Sequence, residues 1–307
     1  MKTTEVTYSM IIPVYNAEKT LEELISRIKQ AFSSLDVTYE IILIDDNSRD
    51  NSWEVIKRLK RGSPNLRIIR LRRNFGQHNA IMCGLHFFRG DYVITIDDDL
   101  QIPPEEIPKL IAGAAEGYDV VYGIYDRKKH NLLKNFGSFL IGCYYRKIFH
   151  MSNQVSAFRI IKREIAREII NYDKTFPYID GLISWNTGNI GEVPVKHYRR
   201  GAGISGYSIG KMVKLAFDMV TNFSAFPIRV ASLLGVLFSL VGFLLALYFF
   251  FRFGLGMPVT GYASMLVAVT IFSGVQLLTI GIIGEYIARV HMNINRKPQY
   301  VIKDQDI

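Results

Sequence analysis

Residues 92–101 read YVITIDDDLQ, a short run of β-branched and aromatic side chains that ends in three consecutive aspartates. The apolar part, Tyr92–Ile96, is typical of a buried strand bounded by polar turns. Buried strands that alternate with amphipathic stretches form sheets covered on both faces, and such sheets place their ligands at the carboxyl ends of the strands. The aspartates stand at that end, so this stretch predicts both the fold class and the position of a site.

Three adjacent carboxylates repel one another unless something compensates their charge. Mg²⁺ and Mn²⁺ prefer oxygen ligands and bridge carboxylates to substrate phosphates. Residues i and i+2 of an extended segment face the same way, so Asp97 and Asp99 are predicted to converge on one metal ion, with Gln101 adding a neutral oxygen. Asp98 is expected to face elsewhere. The alternative is a solvated turn or helix cap before Pro103.

Three more apolar runs resemble the first, and amphipathic segments separate them. Between the first two runs, Leu21, Leu24 and Ile28 recur at helical spacing. The chain is therefore predicted to form an α/β doubly wound domain with parallel strands. No GxGxxG or GxxxxGK[ST] follows the first strand, which argues against a dinucleotide cofactor or a P-loop. The further strands are expected at Tyr8–Pro13, Tyr39–Ile44 and Leu66–Leu71.

Asp45 and Asp46 end the second predicted strand. A carboxylate there can accept hydrogen bonds from a nucleobase or a ribose. We assign Asp45 to the nucleotide and leave Asp46 open, because Asp46 or Ser48 could equally cap the helix that contains Trp53.

Two stretches without a charged side chain, Ser232–Phe251 and Ala263–Gly284, each reach the length of about 20 residues that spans a bilayer. Lys and Arg crowd their outer flanks, whereas the connecting segment Phe253–Tyr262 has none, so both termini are expected in the cytoplasm. The predicted organisation is a cytosolic domain over residues 1–209, an interfacial amphipathic helix over 210–228, two transmembrane helices over 229–287 and a cytosolic tail over 288–307.

Composition also limits which partners, compartment and cysteine chemistry the protein can have. The formal charge of +9 fits a protein that rests on anionic lipid, and the two spans make a nucleic-acid partner the weaker interpretation. The N-terminus lacks a signal peptide, so the large domain is expected to stay in the cytosol. Two distant cysteines, Cys83 and Cys143, exclude a disulfide framework and a thiolate zinc site.

Several motifs carry a family resemblance that covers nearly the whole chain: PVYN, ILIDDNS, RNFGQHNAIMCG, GDYVITIDDDLQIPPEEIPKL and RRGAGISGYS before the spans. Together they resemble the family 2 glycosyltransferases that act on polyisoprenyl phosphates. Within this group the central stretch is most similar to the undecaprenyl-phosphate 4-deoxy-4-formamido-L-arabinose transferases, and it is more distantly similar to dolichyl-phosphate mannose synthase. The resemblance implies a Rossmann-like domain of the glycosyltransferase A type with a C-terminal transmembrane hairpin.

The resemblance also implies roles for single residues. Asp97 and Asp99 are the expected catalytic carboxylates, and Gln101 completes the metal ligands. Asp180, in the stretch YIDGLISW, joins the catalytic set as a positioning group on its own residue chemistry, with a loop carboxylate as the alternative. The chain departs from the family pattern at Ala17, Asn153 and Gly206, where relatives usually carry Glu, Asp and Lys, so contacts to the donor sugar are expected to differ. The expected nucleotide residues are Pro13, Tyr15, Asp45 and Asp98, and the expected ligands of the acceptor phosphate are Arg127, Arg200 and Ser205.

The predicted reaction is an inverting transfer of a sugar from a nucleotide-sugar, expected to be a UDP-sugar, to a polyisoprenyl phosphate such as undecaprenyl phosphate. The product would be a lipid-linked sugar for envelope glycan or lipid A modification, made at the cytoplasmic face of a bacterial inner membrane. A processive polysaccharide synthase is one alternative, although the QxxRW motif is absent around Trp185. A non-catalytic nucleotide-binding membrane scaffold is another. The sequence leaves a monomer and a homo-oligomer both open.

Overall fold

The computed structural model describes residues 6–125, 155–198, 226–255, 261–295 and 297–307. The chain divides into two compact units. One comprises Met1–Gly206 together with Lys297–Ile307, and the other comprises Tyr207–Arg296. The C-terminal residues thus belong with the N-terminal domain. The helix predicted over residues 210–228 lies outside the described residues except for its last three positions.

The four apolar runs form the parallel centre of an eight-stranded sheet. They are neighbours in the order β3-β2-β1-β4, and all three contacts between them are parallel. Nearly every side chain of these strands is buried, since helices cover both faces. The predicted doubly wound centre is therefore confirmed, with bounds β1 Tyr8–Val14, β2 Tyr39–Asp45, β3 Leu66–Leu71 and β4 Tyr92–Thr95.

Amphipathic helices connect these strands and pack on the sheet. The first helix buries Leu21, Leu24 and Ile28 against the core, in agreement with the spacing seen in the sequence. A 3₁₀ turn at Pro104–Glu106 leads from the aspartates into the fourth helix. The helices in the described residues of this unit are α1 Leu21–Ser33, α2 Ser52–Arg61, α3 Gln77–Leu85, α4 Ile107–Ala115, α5 Arg163–Ile170 and α6 Ile179–Asn186.

Four more strands extend the sheet on both sides, in the overall order β7-β5-β6-β4-β1-β2-β3-β8. Strand β6 runs antiparallel to both β4 and β5, whereas β5 and β7 are parallel to each other. The segment expected to be only a cytosolic tail contributes β8, an edge strand antiparallel to β3. These strands are β5 Val120–Ile124, β6 Arg159–Lys162, β7 Ile190–Pro194 and β8 Ile302–Asp306.

The second unit contains two long apolar helices, α7 Phe226–Gly254 and α8 Tyr262–Ile294. Within them, Phe226–Arg252 has a mean hydropathy of 2.6 and Ala268–Ile294 one of 1.6. Only 6% and 0% of these windows are buried, so the apolar side chains face outward. By length and composition both helices can span a membrane.

Candidate active site

The carboxyl ends of β1, β2 and β4 meet around a pocket of about 260 Å³. One hydrogen bond joins two of these ends directly, from the Tyr15 amide to Asp98 Oδ2 at 2.9 Å. A second, from Thr20 Oγ1 to the Asp98 carbonyl oxygen at 2.6 Å, secures the same aspartate to the start of α1. The pocket is lined by Pro13, Val14, Tyr15, Asp46, Asn74, Gly76, Gln77, Asp97, Asp98 and Asp99.

The backbone turns sharply at each of these strand ends. Asn16, Asn47 and Leu100 adopt the left-handed conformation, with φ between 55° and 58°. Asn tolerates this conformation, but a bulky residue such as Leu rarely adopts it. Residues held in such conformations cluster at ligand sites, where surrounding contacts maintain them. At Leu100 the turn brings Gln101 back toward Asp99. The backbone N–H of Gln101 donates a hydrogen bond to Asp99 Oδ1 at 3.1 Å.

Asp46 holds the loop that follows β3. Its two carboxylate oxygens accept the amides of Phe75 at 2.7 Å and Gly76 at 2.8 Å. Gly76 has a φ of +91°, a conformation that residues other than glycine rarely adopt. Burial raises the pKa of Asp46 to about 6, although both amide hydrogen bonds favour the ionised form. The RNFG motif is thus fixed at the pocket wall by one carboxylate.

Asp45, predicted to contact the nucleotide, lies behind this wall. Its side chain is fully buried, and Oδ1 accepts the Ser48 amide at 3.0 Å. Its Oδ2 lies 3.1 Å from Arg70 Nε in an ion pair without hydrogen-bond alignment. Burial raises the pKa of Asp45. Of these two neighbouring aspartates, only Asp46, whose role the sequence left open, lines the pocket.

A second, smaller pocket of about 120 Å³ adjoins the first. Asp97 and Asp99 line both pockets, whereas Asp98 lines only the first. Asp97 Oδ1 also accepts a hydrogen bond from Gln77 Nε2 at 2.5 Å. The two aspartates therefore stand at the boundary of two cavities, although β4 ends at Thr95 and Asp98 and Asp99 lie in a turn rather than in an extended segment. The smaller pocket is lined by Ile96, Asp97, Asp99, Gln101, Ile102, Tyr125, Val155, Ser156, Ala157, Phe158 and His197.

The predicted metal ligands Asp97, Asp99 and Gln101 all line the smaller pocket. Among the residues that the structure describes, no three His, Cys, Asp or Glu side chains form a closed metal-binding group. Two carboxylates and one side-chain amide oxygen match Mg²⁺ or Mn²⁺ chemistry, because Mg²⁺ is usually held by one or two carboxylates and completed by substrate phosphates and water. The donor set is thus suited to a cation that arrives with a phosphate ligand.

Asp180, predicted as a catalytic positioning group, is buried and lines neither pocket. It forms an ion pair with Arg159, which is only 1% exposed, and accepts a hydrogen bond from Tyr122 at 2.9 Å. Arg159 Nε also donates to Thr95 Oγ1 at 3.1 Å. These contacts give Asp180 a structural role, the neutralisation of a buried guanidinium.

The three predicted ligands of the acceptor phosphate, Arg127, Arg200 and Ser205, lie outside the described residues. Two of them, Arg127 and Arg200, closely follow in sequence a pair of stacked rings that sequence reasoning missed. Tyr125 and His197 stack with their ring centroids 3.9 Å apart and an interplanar angle of 14°. Their positions two and three residues before the predicted arginines were the available signal.

These strand-end carboxylates and the mixed sheet define an α/β domain with a polar site at the carboxyl ends of its parallel strands. Residues 9–170, slightly more than half of the chain, match the family described as Glycosyl transferase family 2. The protein therefore belongs to that family and is a glycosyltransferase. Its sheet and site agree with the glycosyltransferase A type of fold that the resemblance implied.

Curated relatives match along almost the full length. The chain is 35% identical to the undecaprenyl-phosphate 4-deoxy-4-formamido-L-arabinose transferase of Shewanella sediminis, over 96% of this chain and 91% of the relative. It is 32% identical to the uncharacterized glycosyltransferase YkcC of Bacillus subtilis, over 96% and 93%.

Solved structures share the fold at low identity. Mannosyl-3-phosphoglycerate synthase from Rubrobacter xylanophilus superposes with a TM-score of 0.51 at 16% identity, over 70% of this chain and 72% of that one. Glucosyl-3-phosphoglycerate synthase from Mycobacterium tuberculosis, in complex with UDP, gives 0.51 at 18% identity, over 71% and 79%.

Proposed function

We propose that the protein transfers a sugar from a nucleotide-sugar, a UDP-sugar in our expectation, to a polyisoprenyl phosphate. The observation that carries this proposal is the pair of adjoining pockets that share Asp97 and Asp99. In an inverting transfer the acceptor approaches the anomeric carbon from the side opposite the leaving nucleotide. The enzyme must therefore hold nucleotide and acceptor in adjoining sites. The larger pocket suits the nucleotide, with Pro13, Tyr15 and Asp46 in its wall. The smaller pocket suits the reacting groups.

The relatives support a lipid acceptor. Several transferases about 35% identical to this chain are named for undecaprenyl phosphate, and they match 96% of it. The two apolar helices would keep the enzyme at the membrane in which such a lipid is dissolved. We therefore propose undecaprenyl phosphate as the acceptor and leave the sugar to experiment.

In the proposed reaction an oxygen of the acceptor phosphate attacks the anomeric carbon of the donor sugar, and the nucleoside diphosphate leaves. Attack from the face opposite the leaving group inverts the anomeric configuration. A phosphomonoester has its second pKa near 6, so at neutral pH the nucleophile is largely anionic and needs no strong protein base. This accords with the buried, ion-paired state of Asp180.

Asp97, Asp99 and Gln101 would hold a divalent cation, which would supply charge neutralisation for the leaving diphosphate. The chain's own contribution is to orient the reacting groups. Asp98 fixes the Tyr15 amide, and Asp46 fixes the amides of the RNFG loop, so the nucleotide wall is assembled before the donor binds.

We also propose a hairpin topology with a cytoplasmic catalytic domain, in the inner membrane of a bacterium. Met1–Gly206 and Lys297–Ile307 belong to one unit, so the chain leaves that unit before α7 and returns to it after α8. A chain that leaves and rejoins one folded unit crosses a bilayer an even number of times. The Lys and Arg residues outside the two spans favour the cytoplasm for that unit.

The test is a transfer assay with purified full-length protein in detergent. Undecaprenyl phosphate is incubated with a panel of UDP- and GDP-sugars and Mn²⁺, and the lipid fraction is analysed by mass spectrometry. We expect a glycosyl phospholipid from at least one donor, and none from Asp99→Asn. Transfer to a non-lipid acceptor alone, or repeated sugar addition to a growing glycan, would contradict the proposal.

A further inference from the structure

The smaller pocket has a wall that neither the sequence motifs nor the relatives assign, built by Tyr125 and His197. We propose that His197, held by its stack on Tyr125, donates a hydrogen bond to the phosphate of the acceptor lipid and so positions it for attack. This inference rests on the proposed function and deepens it. It assigns a ligand class, a phosphomonoester, to one wall of the pocket.

The loop that carries His197 is anchored on both sides of that residue. The Val195 amide donates to the Ile124 carbonyl at 2.8 Å, and the Tyr198 amide donates to the Gln101 carbonyl at 2.7 Å. Val195 is buried, whereas His197 is exposed toward the pocket. Two backbone hydrogen bonds thus hold the loop, and the stack on Tyr125 orients the ring, a preorganised arrangement that binding need not create.

The chemistry of the wall suits an anion. An imidazole N–H is a hydrogen-bond donor, and Ser156 offers a hydroxyl, whose oxygen accepts the Phe158 amide at 3.1 Å and whose own hydrogen can donate to a ligand. Hydrogen bonds to a charged phosphate are stronger than neutral ones. Such donors are needed here, because an anionic acceptor must approach the carboxylates Asp97 and Asp99.

The size and position of the pocket favour the phosphate over the nucleotide. At about 120 Å³ it has less than half the volume of the first pocket, which is about 260 Å³. It lies on the Gln101 side of the two aspartates, whereas Asp46 and Asn74 lie on the other. The acceptor phosphate, which must reach the anomeric carbon beyond the diphosphate, is the small anionic group that fits this side.

The experiment separates the N–H donor from the stacked ring. His197→Phe keeps an aromatic ring beside Tyr125 and removes the donor, while His197→Gln restores an N–H group. Tyr198→Phe is the matched control, since the Tyr198 side chain is exposed in the same loop. For each protein we measure KM for undecaprenyl phosphate, KM for a short-chain isoprenyl phosphate, affinity for UDP with Mn²⁺, and donor hydrolysis without acceptor.

We expect His197→Phe to raise KM for both acceptors by roughly 10- to 100-fold, the effect of losing one hydrogen bond to a charged group. UDP affinity and donor hydrolysis should stay within twofold of the unmodified protein, and His197→Gln should recover part of the loss. An equal effect on both acceptors assigns the contact to the phosphate, because the two acceptors share the phosphate group and differ in the length of the isoprenoid tail.

Two results would overturn the inference. A KM for acceptor that is unchanged in His197→Phe would leave the ring with only a packing role. A matching loss of donor hydrolysis or UDP affinity would assign the wall to the donor. Retained UDP affinity shows that the variant is folded, and Tyr125→Leu, which removes the stack but keeps the imidazole, should give a smaller rise in acceptor KM. If the unmodified protein makes no glycosyl lipid at all, the proposed function fails instead.

Discussion

Removing the Asp180 carboxylate should destabilise the domain far more than it affects the chemistry. In Asp180→Ala, the Arg159 guanidinium keeps its hydrogen bond to Thr95 but loses its ion-pair partner inside the core. Arg159 is 1% exposed and Asp180 is 6% exposed, so water cannot reach the guanidinium to solvate it in place of the lost carboxylate. Breaking a buried pair on one side costs about 3–5 kcal/mol.

For a domain of about 200 residues, each kcal/mol corresponds to roughly 2–4 °C in the unfolding midpoint, so we expect a fall of roughly 6–20 °C. The midpoint is measured by thermal unfolding of the detergent-solubilised protein with UDP absent. Tyr122→Phe is the matched control: it removes the hydrogen bond to Asp180 at 2.9 Å but leaves the charges paired, so its fall should be only a few degrees.

The double variant Arg159→Met/Asp180→Leu distinguishes a structural from a catalytic Asp180. It removes both charges and fills the space with apolar atoms, which often restores stability. We expect its midpoint to recover most of the loss and its transfer rate to stay within tenfold of the unmodified protein. A double variant that is stable but inactive by several orders of magnitude would refute this reasoning and return Asp180 to the chemistry.

Three further predictions follow from the topology, the nucleotide wall and the tail. With both termini in the cytoplasm, a membrane-impermeant thiol probe on intact cells should label a cysteine at Thr260 and spare one at Lys303; the opposite pattern would reverse the orientation. Because Asp46 has a pKa of about 6, it is ionised above that pH and protonated below it, when one oxygen stops accepting an amide. Affinity for an intact UDP-sugar, which has no phosphomonoester group that titrates near pH 6, should therefore fall as pH drops through about 6, and Asp46→Asn should remove the inflection; a pH-independent affinity in the unmodified protein would contradict this. Gln299 Nε2 donates to two carbonyls of the α5–α6 connection, and the Arg72 backbone amide donates to the Val301 carbonyl at 2.8 Å. Deleting residues 299–307 should therefore lower the unfolding midpoint and weaken UDP binding several-fold. Unchanged values for both would show that β8 is dispensable.

The sequence predicted the parallel centre of the sheet because its strands are buried on both faces and therefore read as apolar runs. The helical spacing of Leu21, Leu24 and Ile28 was equally direct, since α1 has one buried face. The metal-site prediction rested on the two-residue alternation at Asp97 and Asp99, and the structure brings both residues to the edge shared by the pockets.

The features that were missed depend on long-range pairing. Strand β8 reads IKDQD, an edge strand with four polar or charged side chains and no apolar alternation, so its pairing with β3 leaves no local signal. Asp45 and Asp46 are adjacent in sequence, and only the placement of Arg70 and the RNFG loop decides which is enclosed. The Asp180 contacts likewise depend on Arg159, which lies on a strand that the sequence did not indicate.

The most direct test of the central claim measures nucleoside diphosphate release and glycosyl lipid formation in the same reaction, with and without Mn²⁺. We expect that both products appear in equal amounts, that excess chelator abolishes both, and that Asp99→Asn abolishes both while its unfolding midpoint is unchanged. Full lipid product in chelator, or in Asp99→Asn, would show that the two shared aspartates do not carry the reaction.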